Sequence, residues 1–187
     1  MKIALLSLAS FLVVACLSAA EPSTTTPAEP GLKVGQAAAA FSLPSPAGGE
    51  VSLESLTAAG PVAVVFVRSA DWCPFCRKQL EDLQKELPSL QSAGVRVVAI
   101  SYDSPAVNLA ATKKLGLTYP LLSDSGSKTI DAYGLRNEQA KGRAEGVPHP
   151  AILVIDRKGM IRSKLMRENY RDRPAASEIL AAARSLK

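Results

Sequence analysis

One run of apolar residues, Val62–Val67, is continuous and mostly β-branched. A run of this kind is typical of a central strand that is covered on both faces. After a short polar segment, apolar residues recur at alternating steps of four and three, which is one face of a helix. These residues are Cys76, Leu80, Leu83, Leu87 and Leu90. The pattern therefore predicts a buried strand followed by a helix.

The rest of the chain alternates between strand and helix patterns. Apolar residues alternate at 41–44 and 51–53 around a glycine-rich turn, which predicts an N-terminal β-hairpin. Further strands are predicted at 95–100, 119–122, 151–155 and 160–165, and helices at 104–116, 127–133 and 174–186. Pro88 is expected to kink or end the first long helix, and residues 135–146 are predicted to form a loop. Parallel strands with crossover helices, followed by an antiparallel pair, predict a three-layer α/β/α sandwich.

Two cysteines, Cys73 and Cys76, stand where the first long helix is predicted to begin. The first N–H groups of a helix have no partners within it, and the aligned peptide dipoles place partial positive charge there. This charge favours the thiolate, which is the species that attacks disulfides or peroxides. Pro74 fits the first turn because it lacks an N–H that would be unpaired. Since Cys76 continues the apolar stripe, we expect it to be buried, with Cys73 accessible at the helix tip.

Two other roles for the cysteine pair are less favoured. A structural disulfide that closes so small a loop removes little chain entropy and would contribute little stability. A tetrahedral zinc site needs four ligands, and the chain has only one other cysteine, Cys16, and one histidine, His149. The spacing of the pair instead lets one sulfur attack a partner while the other resolves the mixed disulfide.

Residues 1–20 have the pattern of a secretory signal peptide, with Lys2, an apolar segment at 3–15 and then small residues. Two processing sites compete. Val13-Val14-Ala15-Cys16 resembles the bacterial lipobox, in which the cysteine is lipidated and becomes the N-terminus, whereas Ser18-Ala19-Ala20 suits ordinary cleavage. Both remain open, and neither leaves Cys16 as a redox partner. We expect an exported, periplasmic protein, either soluble or anchored to a membrane through a lipid on Cys16.

Residues 21–30 read EPSTTTPAEP and cannot bury enough surface to offset the entropy of ordering, so they are predicted to form a flexible linker. Residues 31–187 have the size of one domain. The formal net charge is +5, and lysine and arginine are concentrated between Arg157 and Arg173. We interpret that stretch as a solvated basic face, and nucleic acid is not an expected partner of an exported protein.

The order of elements, with Cys-x-x-Cys after the first core strand, resembles the thioredoxin fold. Three stretches are similar to the AhpC/TSA branch, which comprises peroxiredoxins and their relatives, and to its peroxiredoxin-like redoxin subgroup. They are residues 34–53, the segment FVRSADWCPFC at 66–76, and residues 119–124 together with the hairpin at 152–159. The resemblance implies a thioredoxin-like fold and thiol-based antioxidant chemistry without a cofactor or metal. It also places Arg68, Trp72 and Phe75 around the site.

The resemblance further implies a second segment of the site. Members of the thioredoxin superfamily carry a cis-proline just before the third core strand, facing the cysteines. The matching residue is Pro150, which follows His149. We expect the two residues to shape the groove for a partner, and the imidazole to tune the thiolate or relay a proton. A lone histidine without such a role is the alternative.

Several positions depart from the relatives. Thioredoxins carry a buried acid six residues before the first cysteine, where this chain has Val67. If the peroxiredoxin signature Pro-x-x-x-Thr/Ser-x-x-Cys ends on Cys76, its Thr and Pro positions hold Cys73 and Ser69. The arginine that peroxiredoxins place before the third core strand is Pro150 here. Neither mechanism is therefore expected to transfer intact.

The sequence thus predicts an exported thiol–disulfide oxidoreductase in which Cys73 attacks and Cys76 resolves. Its partner would be a protein thiol or disulfide, or a thioredoxin-like electron donor. The alternative is a thiol-dependent peroxidase that reduces hydroperoxides. A third hypothesis is a copper(I)-handling protein with Cys73, Cys76 and His149 as ligands, because soft thiolates favour that ion.

Overall fold

The computed structural model describes residues 29–184. The predicted signal peptide with Cys16, and the predicted linker as far as residue 28, lie outside the described residues. The strands are β1 (Ser42–Pro44), β2 (Glu50–Ser52), β3 (Val62–Phe66), β4 (Arg96–Ser101), β5 (Leu121–Ser123), β6 (Ala151–Ile155) and β7 (Ile161–Leu165). The helices are α1 (Leu53–Ala59), α2 (Pro74–Ser92), α3 (Pro105–Leu115), α4 (Lys128–Ala132) and α5 (Ala176–Arg184), with a short 3-10 helix at Gly142–Ala144.

Five strands form the central sheet in the order β5-β4-β3-β6-β7. Strands β3, β4 and β5 are parallel, whereas β6 runs antiparallel to both β3 and β7. In the middle of the sheet, Val65 is paired with Ala99 of β4 and with Ile152 of β6. Every residue of β3 is buried, as its continuous apolar run predicts.

Helices cover both faces of this sheet. On one face α2, α3 and α5 pack against alternate residues of β3 such as Val65, and on the other face the β1–β2 hairpin, α1 and α4 pack against residues such as Val64. The predicted three-layer α/β/α sandwich with an N-terminal β-hairpin is therefore confirmed. Because β3 is central, its C-terminal end delivers the loop before α2 to the middle of the sheet edge.

Most element boundaries follow the predicted signals. Ser104 is the N-cap of α3, and Gly116 ends it in the left-handed conformation that glycine adopts readily. Pro88 was expected to kink or end α2. It does not end the helix, because α2 continues to Ser92. Leu87 and Leu90 flank the proline and are both buried, and their burial outweighs one missing hydrogen bond.

The structure also contains a helix that the hydrophobic pattern does not predict. The alternation at 51–53 is typical of a strand, yet Leu53 begins α1. The Oγ of Ser52 accepts a hydrogen bond from the N–H of Ser55 at 3.1 Å and so caps the helix. The N-cap signal was present in the sequence, but α1 is only seven residues long and shows too little periodicity.

The first described residues contact the domain. The Nζ of Lys164 in β7 lies 3.0 Å from Oε2 of Glu29 and donates to the carbonyl of Pro30, also at 3.0 Å. The last two residues of the predicted linker are therefore held at the edge strand of the sheet. None of the helices between residues 29 and 184 combines the length and apolar character needed to cross a membrane.

Candidate redox site

The two cysteines lie at the N-terminus of α2, as predicted. Cys73 is the N-cap and Pro74 occupies the first turn. The Sγ of Cys73 accepts a hydrogen bond from the N–H of Cys76 at 3.3 Å. The two sulfurs form a disulfide, with the Cα atoms 5.2 Å apart. This N–H has no acceptor within the helix, so it is available to stabilise the negative charge that the Sγ of Cys73 would carry after reduction.

Both members of the pair are buried. Cys76 has no exposed surface, as its place in the apolar stripe predicts, but Cys73 is only 1% exposed. The expectation that Cys73 is accessible at the helix tip is therefore wrong. Trp72 and Phe75 flank the pair and pack against the same core cluster as the cysteines. Access to Cys73 consequently requires these neighbouring side chains to shift.

An arginine from the C-terminal part of the chain reaches the pair. The Nη2 of Arg173 donates to the Sγ of Cys76 at 3.6 Å. Burial, together with the positive charge of Arg68, lowers the pKa of Arg173 to about 10, so the side chain remains charged at neutral pH. A half-buried cation at this distance favours the thiolate of Cys76 over the thiol.

Arg173 was missed because it ends the stretch that we interpreted as a solvated basic face. For Arg173 that interpretation is wrong, since the side chain is packed against the redox pair. Tyr170, an aromatic residue between the charges, signals a stacked arginine, but the guanidinium groups at its ring are those of Arg68 and Arg171 and not that of Arg173. Aromatic rings beside arginines are typical of stacked rather than solvated guanidinium groups.

Aromatic rings surround the other arginine of the site. The guanidinium carbon of Arg68 lies 5.1 Å from the ring centroid of Trp72 and 4.6 Å from that of Tyr170. Phe75 meets Tyr170 edge to face, with centroids 6.1 Å apart. We call Trp72, Phe75 and Tyr170 the aromatic rim. Arg68 and two residues of the rim, Trp72 and Phe75, were predicted from the sequence to lie at the site. Tyr170 was not predicted.

Polar contacts fix the indole of the rim. The Nε1 of Trp72 donates to the Oη of Tyr102 at 3.0 Å, and that hydroxyl donates to the carbonyl of Arg143 at 2.6 Å. The guanidinium of Arg143 lies 5.5 Å from the Trp72 ring and forms an ion pair with Asp71 at 2.8 Å. The indole is therefore held by the 3-10 helix, which contains Arg143, and by Tyr102, which directly follows β4.

A buried carboxylate, Asp103, holds the loop that precedes Cys73. Its Oδ1 accepts from the Oγ of Ser69 at 2.9 Å, and its Oδ2 accepts from the N–H of Ala70 at 2.8 Å. The Oγ of Ser69 in turn accepts from the N–H of Trp72 at 3.3 Å. Burial raises the pKa of Asp103. The buried acid near the redox loop therefore comes from the end of β4, and not from the position of Val67.

The segment before β6 differs from the expectation in its peptide geometry. No peptide bond between residues 29 and 184 is cis, so the proposed cis-Pro150 is wrong. The N–H of His149 donates to the carbonyl of Leu135 at 2.7 Å, and the N–H of Asn137 donates to the carbonyl of Val147 at 3.0 Å. This extended pairing is compatible with the trans form, which X–Pro bonds favour by about 0.5–1 kcal/mol. The backbone N–H of His149 is therefore not free to pair with a substrate.

Comparison with known protein families shows which family this chain belongs to. The model of the AhpC/TSA family matches residues 34–164, which include the redox pair and the sheet around it. The chain belongs to the AhpC/TSA family. A putative peroxiredoxin of Mycobacterium tuberculosis is 34% identical over 131 residues, which cover 70% of this chain and 82% of the relative. The thiol-disulfide oxidoreductase ResA of Halalkalibacterium halodurans is 26% identical over 131 residues, 69% of this chain and 66% of the relative.

Solved structures confirm the fold of this AhpC/TSA protein. The crystal structure of peroxidoxin BcpB from Mycobacterium tuberculosis superposes with a TM-score of 0.74 at 24% identity, covering 83% of this chain and 99% of that one. A peroxiredoxin-like protein from Aquifex aeolicus gives 0.73 at 19% identity, covering 85% and 90%. The predicted thioredoxin-like fold is confirmed. The family match and the two relatives found by sequence support oxidoreductase activity through redox-active thiols.

The single histidine of this AhpC/TSA protein makes no described hydrogen bond to either sulfur. His149 is half-buried, and burial lowers the pKa of its imidazole, which is therefore neutral at pH 7. Its hydrogen bond to Leu135 is made by the backbone. In the described part of the chain, no three His, Cys, Asp or Glu side chains group as metal ligands. No contact therefore favours the copper(I) hypothesis, and the role of His149 in tuning the thiolate stays a prediction.

The Asp103→Asn variant should change how folding stability depends on pH. Because the folded-state pKa is raised above 3.8, the carboxyl of Asp103 contributes stability below about pH 4 that is lost as the pH rises through the raised pKa. Asparagine does not titrate. The free energy of unfolding of the wild type relative to Asp103→Asn should therefore decrease from pH 4 upward, as urea denaturation at several pH values would measure.

Glu178→Gln is the control of opposite sign. Hydrogen bonding to Arg167 lowers the pKa of Glu178, so its contribution is present above about pH 4.5 and lost as the pH falls. The wild type should therefore gain stability relative to Glu178→Gln as the pH rises. The same slope for both variants would contradict the burial argument for Asp103.

Proposed function

We propose that the protein is an exported thiol–disulfide oxidoreductase whose Cys73–Cys76 pair cycles between disulfide and dithiol. The observation that carries this proposal is the closed disulfide at the N-terminus of α2, with a guanidinium nitrogen of Arg173 3.6 Å from the Sγ of Cys76. Each sulfur has a donor that stabilises its thiolate: the N–H of Cys76 for Cys73, and Arg173 for Cys76.

The contacts support one order of steps for the exchange. A donor thiolate attacks the Sγ of Cys73 and forms a mixed disulfide, while the electron pair of the broken S–S bond goes to the Sγ of Cys76. Arg173 stabilises that leaving thiolate, and a better leaving thiolate speeds the exchange. A second donor thiol completes the reduction. In the opposite half of the cycle, the thiolate of Cys73 attacks a substrate disulfide and Cys76 releases the substrate.

Reduction of a protein disulfide tests the proposal directly. The protein should accelerate the reduction of insulin by dithiothreitol in a turbidity assay, because its pair is placed for repeated exchange. Cys73→Ser should reduce the rate to that of dithiothreitol alone. Equal rates for the wild type and Cys73→Ser would contradict an oxidoreductase of protein disulfides.

A thiol peroxidase is the second candidate. The specific observation in its favour is Arg173, because a peroxidase needs a preorganised cation near the reacting sulfur, and the sequence had shown no arginine aimed at the pair. The names of the relatives, among them putative peroxiredoxins, point to hydroperoxides as substrates and to thiols as electron donors. The rate of reaction with peroxide separates the two candidates.

Export is part of the proposal and rests on the pattern of residues 1–20. Mass spectrometry of the mature N-terminus tests it. A chain that begins at a diacylglycerol-modified Cys16 would support a lipid-anchored protein, and a chain that begins at an unmodified Glu21 would support a soluble periplasmic one. A mature protein that retains residues 1–20 would contradict export.

A further inference from the structure

Two arginines at the redox pair have no carboxylate partner. Four other arginines between residues 29 and 184 form ion pairs with aspartate or glutamate; they are Arg136, Arg143, Arg162 and Arg167. Among the ion pairs of residues 29–184, none includes Arg68 or Arg173. The Nε atom of each is buried and has no hydrogen-bond partner. A buried guanidinium donor without an acceptor is unfavourable unless a ligand satisfies it.

The two guanidinium groups belong to one site. The ring of Tyr170, three residues before Arg173, lies 4.6 Å from the guanidinium carbon of Arg68. Burial and then the positive charge of Arg68 lower the pKa of Arg173. Arg68 lies between the rings of Trp72 and Tyr170, and Arg173 contacts the Sγ of Cys76. In the disulfide state the sulfurs carry no negative charge. The negative charge of Asp172 acts on Arg173, but no carboxylate of residues 29–184 forms an ion pair with either guanidinium group. The oxidised site therefore holds two cations without an ion-paired carboxylate, at the bond that must be reduced.

We propose that Arg68 and Arg173 bind the carboxylate of a low-molecular-weight thiol that reduces the Cys73–Cys76 disulfide. The inference rests on the proposed function and names the class of its reductant. Guanidinium groups suit this role because their planar donors match a carboxylate. Cys73 is only 1% exposed and the aromatic rim stands beside it, so a small thiol reaches it with a smaller shift of the rim than a protein partner needs.

The exchange balances with two equivalents of thiol. The thiolate of the bound molecule attacks the Sγ of Cys73, and the electron pair of the Cys73–Cys76 bond goes to Cys76. A second thiolate attacks the small-molecule sulfur of the mixed disulfide and expels the thiolate of Cys73. Two small thiols are oxidised to one disulfide, and their two protons end on the protein dithiol. The new thiolate of Cys76 then competes with the carboxylate for Arg173, which favours release of the product.

Matched thiols test the inference on the oxidised full-length protein. The probes are 3-mercaptopropionate and its methyl ester, which differ in charge but hardly in shape, with cysteamine as a cationic thiol. Trp72 is the only tryptophan and belongs to the rim, so its fluorescence can report reduction in a stopped-flow instrument. Each rate is divided by the rate of the same thiol with a small model disulfide, which removes differences in intrinsic reactivity.

We expect the normalised rate of 3-mercaptopropionate to exceed that of the ester by about tenfold or more at low ionic strength, and to fall as salt is added. Cysteamine should be slower than the ester. Arg68→Gln and Arg173→Gln should each remove most of the preference for the carboxylate. Arg171→Gln has the same change in net charge at an exposed residue near the rim, and it should keep the preference.

The outcomes distinguish failure of the carboxylate site from failure of the oxidoreductase proposal. Equal normalised rates for the acid and the ester in the wild type would overturn the carboxylate site, and so would a preference that Arg171→Gln removes as fully as Arg68→Gln. Either result leaves the oxidoreductase proposal standing if insulin is still reduced. The comparison of acid and ester needs no variant, so it decides the question even if Arg173→Gln fails to fold.

Discussion

Cys76→Ser is expected to lose catalytic disulfide reduction and to accumulate mixed disulfides, whereas Cys73→Ser should lose catalysis and accumulate none. The thiolate of Cys73 is stabilised by the N–H of Cys76 at the helix N-terminus and is the expected nucleophile. Cys76 has no exposed surface and contacts Arg173, so we expect it to act as the resolving sulfur. Without it, a substrate bound to Cys73 has no intramolecular route to release.

Electrophoresis without reductant, followed by mass spectrometry of the trapped adducts, measures this division of labour. The variant lacking both cysteines is the control for adducts formed through Cys16. Rates of alkylation give an independent reading, because Cys73 should be modified before Cys76 in the reduced wild type. Adducts on Cys73→Ser, or faster alkylation of Cys76, would reverse the assignment and favour a peroxidatic role for Cys76.

The parts of the fold that were predictable are those that a local pattern determines. The apolar run at β3 must be buried on both faces, and the stripe from Cys76 to Leu90 must face the sheet, so both elements follow from burial alone. Ser104 and Gly116 bound α3 through local cap chemistry. The position of the cysteines at a helix N-terminus required no more than these signals.

The rest of the site depends on contacts between distant residues. Arg173 is 97 positions from Cys76, and no local pattern distinguishes it from the exposed arginines around it. The burial of Cys73 depends on the packing of the surrounding side chains, which the spacing of the pair does not specify. Likewise, Pro150 is trans beside an extended pairing of residues 135–137 with residues 147–149, a region predicted as a loop.

The reduced protein is expected to react slowly with hydrogen peroxide and with alkyl hydroperoxides. A peroxidase must stabilise negative charge on the peroxide oxygens as the O–O bond breaks, and losing one preorganised donor typically lowers the rate by about 10² to 10³. The peroxiredoxin signature places a hydroxyl three residues before its cysteine. Counting back three positions gives Cys73 for Cys76 and Ala70 for Cys73, so a hydroxyl is missing in either register.

Two other donors of the site, Ser69 and Arg173, are poorly placed for peroxide. The hydroxyl of Ser69 is nearby in sequence, but its proton is donated to Asp103. Arg173 is the stronger candidate, yet it contacts Cys76, which is fully buried, and not the expected nucleophile Cys73. Disulfide exchange makes less demand on such donors, because its leaving group is a thiolate that a helix N-terminus or one guanidinium stabilises.

Stopped-flow oxidation by peroxide, followed through Trp72, tests this expectation in the wild type and in variants of the site. The rate constant should exceed that of a free thiolate only modestly, and His149→Ala and Arg68→Ala should change it little. Arg171→Ala is the matched control for Arg173→Ala, because both remove one positive charge from the same segment. Rapid oxidation that falls by about 10² or more in Arg173→Ala, but not in Arg171→Ala, would show that this arginine takes the role of the missing peroxiredoxin arginine. Hydroperoxide reduction would then be the principal reaction, with Cys76 as the sulfur that is oxidised first.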